Sequence, residues 1–209
     1  DYTITVTVTV DSRIVPTGQP TLTPAAITYG QPLRTIALSG ALRDGDTVVE
    51  GTFVWNTPDV ILPAGSQTAE WTFTPSGSRY ATTSGTASVT VREAALTDVS
   101  VRQDGALTYT GTAQTARVTT SATTVDGSAV TFTYSLAKDG AYGDAVPALT
   151  DVAAHTVWYK AEAANHETVT GSFTVTIGKA ALTSVSVRQD GALAYNGKAQ
   201  TARMAASAA

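Results

Sequence analysis

Few side chains in this chain are suited to acid–base or nucleophilic work. His155 and His166 are the two histidines, and there is no cysteine. A serine nucleophile needs an imidazole beside it and an acid behind that imidazole. No Gly-x-Ser-x-Gly elbow occurs. Both histidines therefore read as strand or loop residues, and no catalytic residue is assigned. Arg43-Asp44-Gly45-Asp46, with Glu50 beyond it, has the look of a calcium loop but lacks the third acidic ligand and its spacing. A hairpin turn accounts for Asp44-Gly45 without a metal, and the same holds for Asp139 with Asp144, so no metal or cofactor is assigned. One contact surface is suggested. Trp158, beside Tyr142 or His166, would stack on a sugar ring or anchor a protein partner if it points outward. The competing reading is that the strand register is shifted by one and Trp158 is core.

These residues must be positioned by a repeating framework. Residues 94–122, AALTDVSVRQDGALTYTGTAQTARVTTSA, return as AALTSVSVRQDGALAYNGKAQTARMAASA at 180–208, Ala95 falling on Ala181, an offset of 86. Of the 28 positions from Ala95 to Ala122, seven differ and 21 are identical. A period of this size over 209 residues gives two repeats plus remnants, and each repeat is large enough for a modest core. The formal net charge of −4 gives no global basic field for nucleic acid. No apolar run approaches the roughly 18–20 residues of a membrane span. The chain starts at Asp1 rather than Met, carries no signal peptide and stops inside a repeat, which reads as a window onto a longer protein.

Periodicity is that of strands. Tyr2–Val10 alternates Ile4, Val6, Val8 and Val10 against threonines, and reads as the closing strand of a preceding repeat over 1–14. Repeat 1 spans 15–93, repeat 2 spans 94–179, and 180–209 holds the opening strands of a third. Prolines 16, 20 and 24 make the start of repeat 1 an extended edge or linker. Short alternating runs are broken by Asp-Gly and Asn-Gly turns, the pattern of an all-β sandwich with almost no helix. Alternation places Ile27, Tyr29, Leu33, Ile36, Leu38, Phe53, Trp55, Trp71, Phe73, Val89 and Val91 inside repeat 1. In repeat 2 it places Val99, Val101, Leu107, Tyr109, Val118, Phe132, Tyr134, Val157, Tyr159, Phe173, Val175 and Ile177 inside, and sends Trp158 outward with Thr156, Lys160 and Glu162. The junctions 91–96 and 177–182 carry no Gly/Ser spacer, so a stiff rod of tandem sandwiches is expected.

At ITYGQPL (27–33), GTFVW (51–55), WTFTPSGSRY (71–80) and GTASVTV (85–91), repeat 1 resembles the bacterial immunoglobulin-like repeats of cell-surface and adhesin proteins of the Tyr-Gly-X type. Repeat 2, with LTYTGTAQT (107–115), KAEAANH (160–166) and GSFTVTIGKA (171–180), is similar to a sister type in the same arrays. The family usually has Asn-Tyr before its final hairpin, where this chain has Arg79-Tyr80 and Asn165-His166. The resemblance implies immunoglobulin-like β-sandwiches without a disulfide, on a bacterial cell surface or cell wall. It implies no enzyme but a stalk or spacer that projects a distal domain. The alternative is an adhesive module binding glycan or host protein through the Trp158 side or the end loops. The partners implied are neighbouring repeats of the same chain, and a glycan or host protein in the adhesive case. A Lys–Asn isopeptide cross-link of the kind some such sandwiches carry is excluded. Repeat 1 has no lysine, and Lys160 and Asn165 are too close in sequence to staple distant strands.

Overall fold

The computed structural model describes residues 12–208. The expected closing strand at Tyr2–Val10 lies outside them. Among the described residues the fold is all-β, with one short 3₁₀ turn at Leu33–Thr35. The chain divides into two compact units. Unit 1 takes the described residues up to Ser100 together with Thr120–Phe132 and Lys160–Thr170; unit 2 takes Val101–Thr119, Thr133–Tyr159 and the described residues from Gly171 onward.

In unit 1 the strands are β1 (Thr21–Thr23), β2 (Ala26–Thr28), β3 (Ala37–Ser39), β4 (Leu42–Asp44), β5 (Thr47–Val49), β6 (Gly51–Trp55), β7 (Gly65–Pro75) and β8 (Thr83–Arg92). One sheet runs β2–β8–β7–β6; β2 lies parallel to β8, pairing Ile27 with Val91, and the rest is antiparallel. Alternation along β7 and β8 puts Ala69, Trp71, Phe73, Ala87, Val89 and Val91 on one buried face and threonine, serine and glutamate on the other. The pairs β1–β3 and β4–β5, with the 3₁₀ turn, supply Leu22, Leu33, Ile36, Leu38, Leu42 and Val49 to the same core. Two apolar layers therefore close on each other, the minimal solution for a sheet with one apolar face. Burial of each large side chain contributes about 1.5–3 kcal/mol.

The two tryptophans divide the work. Trp55 donates its indole N–H to the carbonyl of Ile36 at 2.8 Å, tying the sheet to the opposite layer. Trp71 lies across from Gly85, and a Cβ built on Gly85 would stand 2.4 Å from Trp71 Cζ2. Phe53, opposite Phe73 on the neighbouring strand, stands edge-on to Trp71 at 5.3 Å and tilted against Phe73 at 4.6 Å.

From repeat 2 onward come β9 (Thr97–Gln103), β10 (Leu107–Thr108), β11 (Val118–Thr123), β12 (Thr131–Ser135), β13 (Ala154–Glu162), β14 (Val169–Gly178), β15 (Ser186–Gln189) and β16 (Met204–Ser207). The order β10–β14–β13–β12 repeats the β2–β8–β7–β6 plan, with β10 parallel to β14 through Leu107 and Ile177. In unit 2, Tyr134, Val157, Tyr159, Phe173, Val175 and Ile177 are buried as expected. Burial raises the Tyr134 hydroxyl's pKa. Tyr109 is a correction: expected in the core, it is exposed, and Val99, Val101, Leu107, Val118 and Phe132 are only half-buried. Alternation fixes the face of a side chain, not how deeply it is covered. Among the described residues β9 pairs with β11 alone, and the residues of β11 after Val118 are threonine, serine and alanine, which add little apolar area to that layer.

Two mutations test this packing. Trp55→Ala removes a buried indole and its hydrogen bond, and should cost ~3–5 kcal/mol in equilibrium denaturation; a shift under about 1 kcal/mol contradicts its core role. Gly85→Ala should destabilise by ~1–3 kcal/mol by pushing the Trp71 ring out of place, with near-UV dichroism of the tryptophans altered; a neutral or stabilising change would show that the ring yields.

Candidate functional site

The expected contact residues fall into both units. In unit 2, the β13 register is the expected one: Val157 and Tyr159 are buried and Trp158 is half-buried on the opposite face. Trp158 is not bare, since the Lys138 ammonium stands 5.8 Å from its ring centroid. Tyr142 donates its hydroxyl to the Lys138 carbonyl at 2.7 Å, and the Tyr134–Gly143 bridge fastens this loop to β12. Trp158, Lys138 and Tyr142 thus form one cluster. His155 has a ring nitrogen 2.8 Å from the Asp151 carbonyl.

His166 belongs to unit 1 and is buried, which removes it from any stacking surface of the kind expected for it. Its Nδ1 lies 2.7 Å from the Ala164 carbonyl, and its Nε2 lies 3.2 Å from the Val125 amide. An amide N–H can only donate, so these partners assign the tautomer with the proton on Nδ1. Both nitrogens are occupied, leaving none for catalysis. The ring meets Tyr29 edge-on, centroids 5.6 Å apart at 77°.

Around this histidine unit 1 builds a polar clamp between segments far apart in sequence. Tyr29 follows β2, its amide donating to the Arg92 carbonyl at 2.8 Å. Its hydroxyl donates to Asp126 Oδ2 at 2.9 Å. Asp126 is shaped by its own turn: the Ser128 amide donates to Oδ1 at 3.0 Å, and Gly127 takes φ +75°. Asn165, at φ +62°, accepts from the Ala64 amide at Oδ1 (3.0 Å) and from the Ala94 amide at its carbonyl (3.0 Å). Asparagine tolerates this left-handed conformation better than most residues. Glu167 then donates to the Ala94 carbonyl at 2.8 Å. Gly30, at φ +92°, lets Val125 approach to where a Cβ would be 2.8 Å from Cγ2. Beside the clamp runs an open groove of about 460 Å³, with Tyr29, Gln31, Ala95, Thr97, Thr124 and Val125 along its walls and no charged side chain.

Electrostatics reinforce the clamp. The neighbouring Ser128 hydroxyl, then the Ser128 amide and the Tyr29 hydroxyl, hold the Asp126 carboxyl well below the usual carboxylate range. The same bond to Asp126 raises the Tyr29 hydroxyl, helped by burial and by the carboxylate's charge. Sequence reasoning read Tyr29 as core, Asp126-Gly127 as a turn and Asn165-His166 as altered hairpin packing. Nothing in the periodicity says that the three meet.

The class this geometry defines is the all-β sandwich. No family model matches the chain, and no curated protein matches it. Among solved structures it is similar to the protocadherin gamma B4 extracellular domain, at 14% identity and TM-score 0.32 over 86% of this chain and 35% of that one. It is also similar to a chimeric titin Z1Z2 tandem functionalised with a fibronectin peptide, at 12% and 0.27 over 76% and 98%. Cadherin domains 1–4 of protocadherin gamma B7 give 11% and 0.30 over 83% and 54%. The chain spans about a third of the protocadherin gamma B4 ectodomain and about half of the gamma B7 one.

The clamp's pH dependence has a definite sign. Asp126 titrates lower folded than unfolded, so its stabilisation is complete above the unfolded value of about 4 and is lost as pH falls through its lowered folded value. Tyr29 titrates higher folded, so its part is complete below about pH 10 and is lost as pH rises through its raised value. The difference in denaturation midpoint between wild type and Asp126→Asn should therefore shrink on acidification from about pH 6 to about pH 2. A difference that holds constant across that range contradicts the role given to the carboxylate.

Proposed function

We propose that this chain is a spacer segment: tandem immunoglobulin-like repeats, outside the cell, of a bacterial cell-surface adhesin-like protein that carry a distal domain away from the envelope. The observation that carries the reading is the clamp in unit 1. Residues of repeat 1 (Tyr29, Ala64) and of repeat 2 (Asp126, Asn165) hydrogen-bond directly, and the connecting Ala94 is held on both its amide and its carbonyl. A segment selected for fixed orientation has reason to satisfy the backbone of its own connector in this way; a flexible tether does not. Near-identity of successive copies also supports a spacer, because length alone is served by repetition. Both histidines are engaged by backbone partners, which fits a structural rather than catalytic role.

Glycan and extracellular-matrix protein arrays probed with the chain should show no saturable binding. Saturable binding lost in Trp158→Ala would replace this reading with the adhesive one, acting through the face that carries Trp158, Lys138 and Tyr142.

A further inference from the structure

His166 occupies a position that unit 1 builds twice. The chain enters repeat 2 at Ala94, in parallel register with His166. The Ala94 amide donates to the Asn165 carbonyl at 3.0 Å, and its carbonyl accepts from the Glu167 amide at 2.8 Å. Ile14, at the entry to repeat 1, meets Tyr80 in the same parallel register. Its amide donates to the Arg79 carbonyl at 3.1 Å, and its carbonyl accepts from the Ala81 amide at 2.8 Å. The His166 amide donates to Ala163 at 3.2 Å, as the Tyr80 amide does to Gly77 at 3.5 Å. The two straps share a backbone and differ in the ring they carry. A phenol stays neutral throughout the acid range, whereas an imidazole ordinarily titrates near pH 6.5.

The surroundings of the His166 imidazole suit one protonation state. The ring is 4% exposed. Its Nδ1 proton goes to the Ala164 carbonyl, so Nε2 is the acceptor for the Val125 amide. A second proton could enter only at Nε2. It would set one N–H against another, leave the Val125 amide without its acceptor and leave a cation buried. Backbone groups take both ring nitrogens, so no carboxylate bonds to the ring directly. The titratable and charged groups on the elements packed around it are Tyr29 after β2, Asp126 in the turn after β11, Arg92 and Glu93 where β8 passes into the connector, Lys160 and Glu162 on β13, and Glu167 beside the ring. Tyr29 turns its edge to the imidazole and gives its hydroxyl to Asp126, so that carboxylate is already committed.

We propose that His166 is a proton-operated latch on the clamp: neutral, it holds the turn at Val125 and Asp126 against Tyr29; protonated at Nε2, it releases that turn. The proton comes from solvent, and the Val125 amide turns to water. Val125 and Asp126 are consecutive, so freeing the first loosens the Tyr29–Asp126 bond as well. Opening therefore takes up a proton that the closed clamp refuses. The closed state has its full advantage above about pH 6.5 and loses it as pH falls, by a factor approaching about tenfold per unit. That window lies above the one in which Asp126 loses its charge. The tie between repeat 1 and repeat 2 residues is thus conditional on pH, while the strap that carries Tyr80 is not. The proposal does not depend on the spacer reading.

The test follows hydrogen exchange of the Val125 amide by NMR in the full chain, corrected for intrinsic exchange, from about pH 7.5 to about pH 5. Wild-type protection should fall about tenfold between about pH 6 and pH 5. His166→Gln keeps an acceptor for the Val125 amide and does not titrate there, so its protection should stay level. His155→Gln should keep the wild-type slope. Nitrogen-15 spectra of the wild-type ring give a reading that needs no variant. They should show the proton on Nδ1 alone at neutral pH, and the doubly protonated form should grow in step with the loss of Val125 protection. Level protection in the wild type, the same acid slope in His166→Gln, or a doubly protonated ring beside a protected Val125 amide overturns the proposal. If His166→Gln is unprotected already at neutral pH, the wild-type comparison of ring protonation with Val125 protection decides alone.

Discussion

The structure depends on aromatic rings seated on glycine backbone. A cysteine-free sandwich has no covalent tie between its layers, so cohesion rests on how closely large rings fill the space between sheets. Trp71 over Gly85 and Phe73 against Gly51 each place a ring atom 2.4 Å from where a Cβ would stand, and Tyr159 against Gly171 places its hydroxyl oxygen at 2.4 Å and its ring at 2.5 Å. A glycine in a strand interior is ordinarily a weakness, and here its bare backbone gives a ring the room it needs. Trp55, bonded to Ile36 across the core, adds a directional link that an apolar contact cannot supply. Trp71 has no partner for its buried indole nitrogen, so shape alone holds it.

From that core follows the clamp. Because β2 is pinned beside β8, Tyr29 leaves the sheet at a fixed point, and only there can its hydroxyl find Asp126. The opposing parts are equally constrained: an Asx turn with glycine at positive φ aims Asp126, and a left-handed asparagine presents both its carbonyls. His166 serves as a buried strut whose two nitrogens satisfy two backbone groups. Where an imidazole is consumed in this way, its chemical reputation misleads.

Much of this was readable in the residues. Phe53, Trp55, Trp71 and Phe73 sit in strands of strict alternation, and so do Val157, Tyr159, Phe173 and Val175; all are buried. What escaped has specific causes. Leu42 and Val49 lie in three-residue strands, too short for a period to show. Ala69, Ala87 and Ala161 are buried because their neighbours are large, a property of the partners. Tyr109 resembles Tyr29 in its sequence setting, yet it is exposed where Tyr29 is half-buried and bonded to Asp126. The clamp joins residues as far apart as Tyr29 and Asp126, and no local pattern encodes a meeting over that distance.

The parallel pairing of first and last strands has a consequence in time. Ile27 waits for Val91, and Leu107 for Ile177, before either sheet is closed. These are long-range contacts of the kind that slow folding, and they cannot form until the final strand has been synthesised. On the ribosome each repeat therefore matures only at its last residues, and the sandwiches complete themselves in chain order. At every stage of growth the newest stretch is an unfinished half with an open edge, beside a finished neighbour of the same plan.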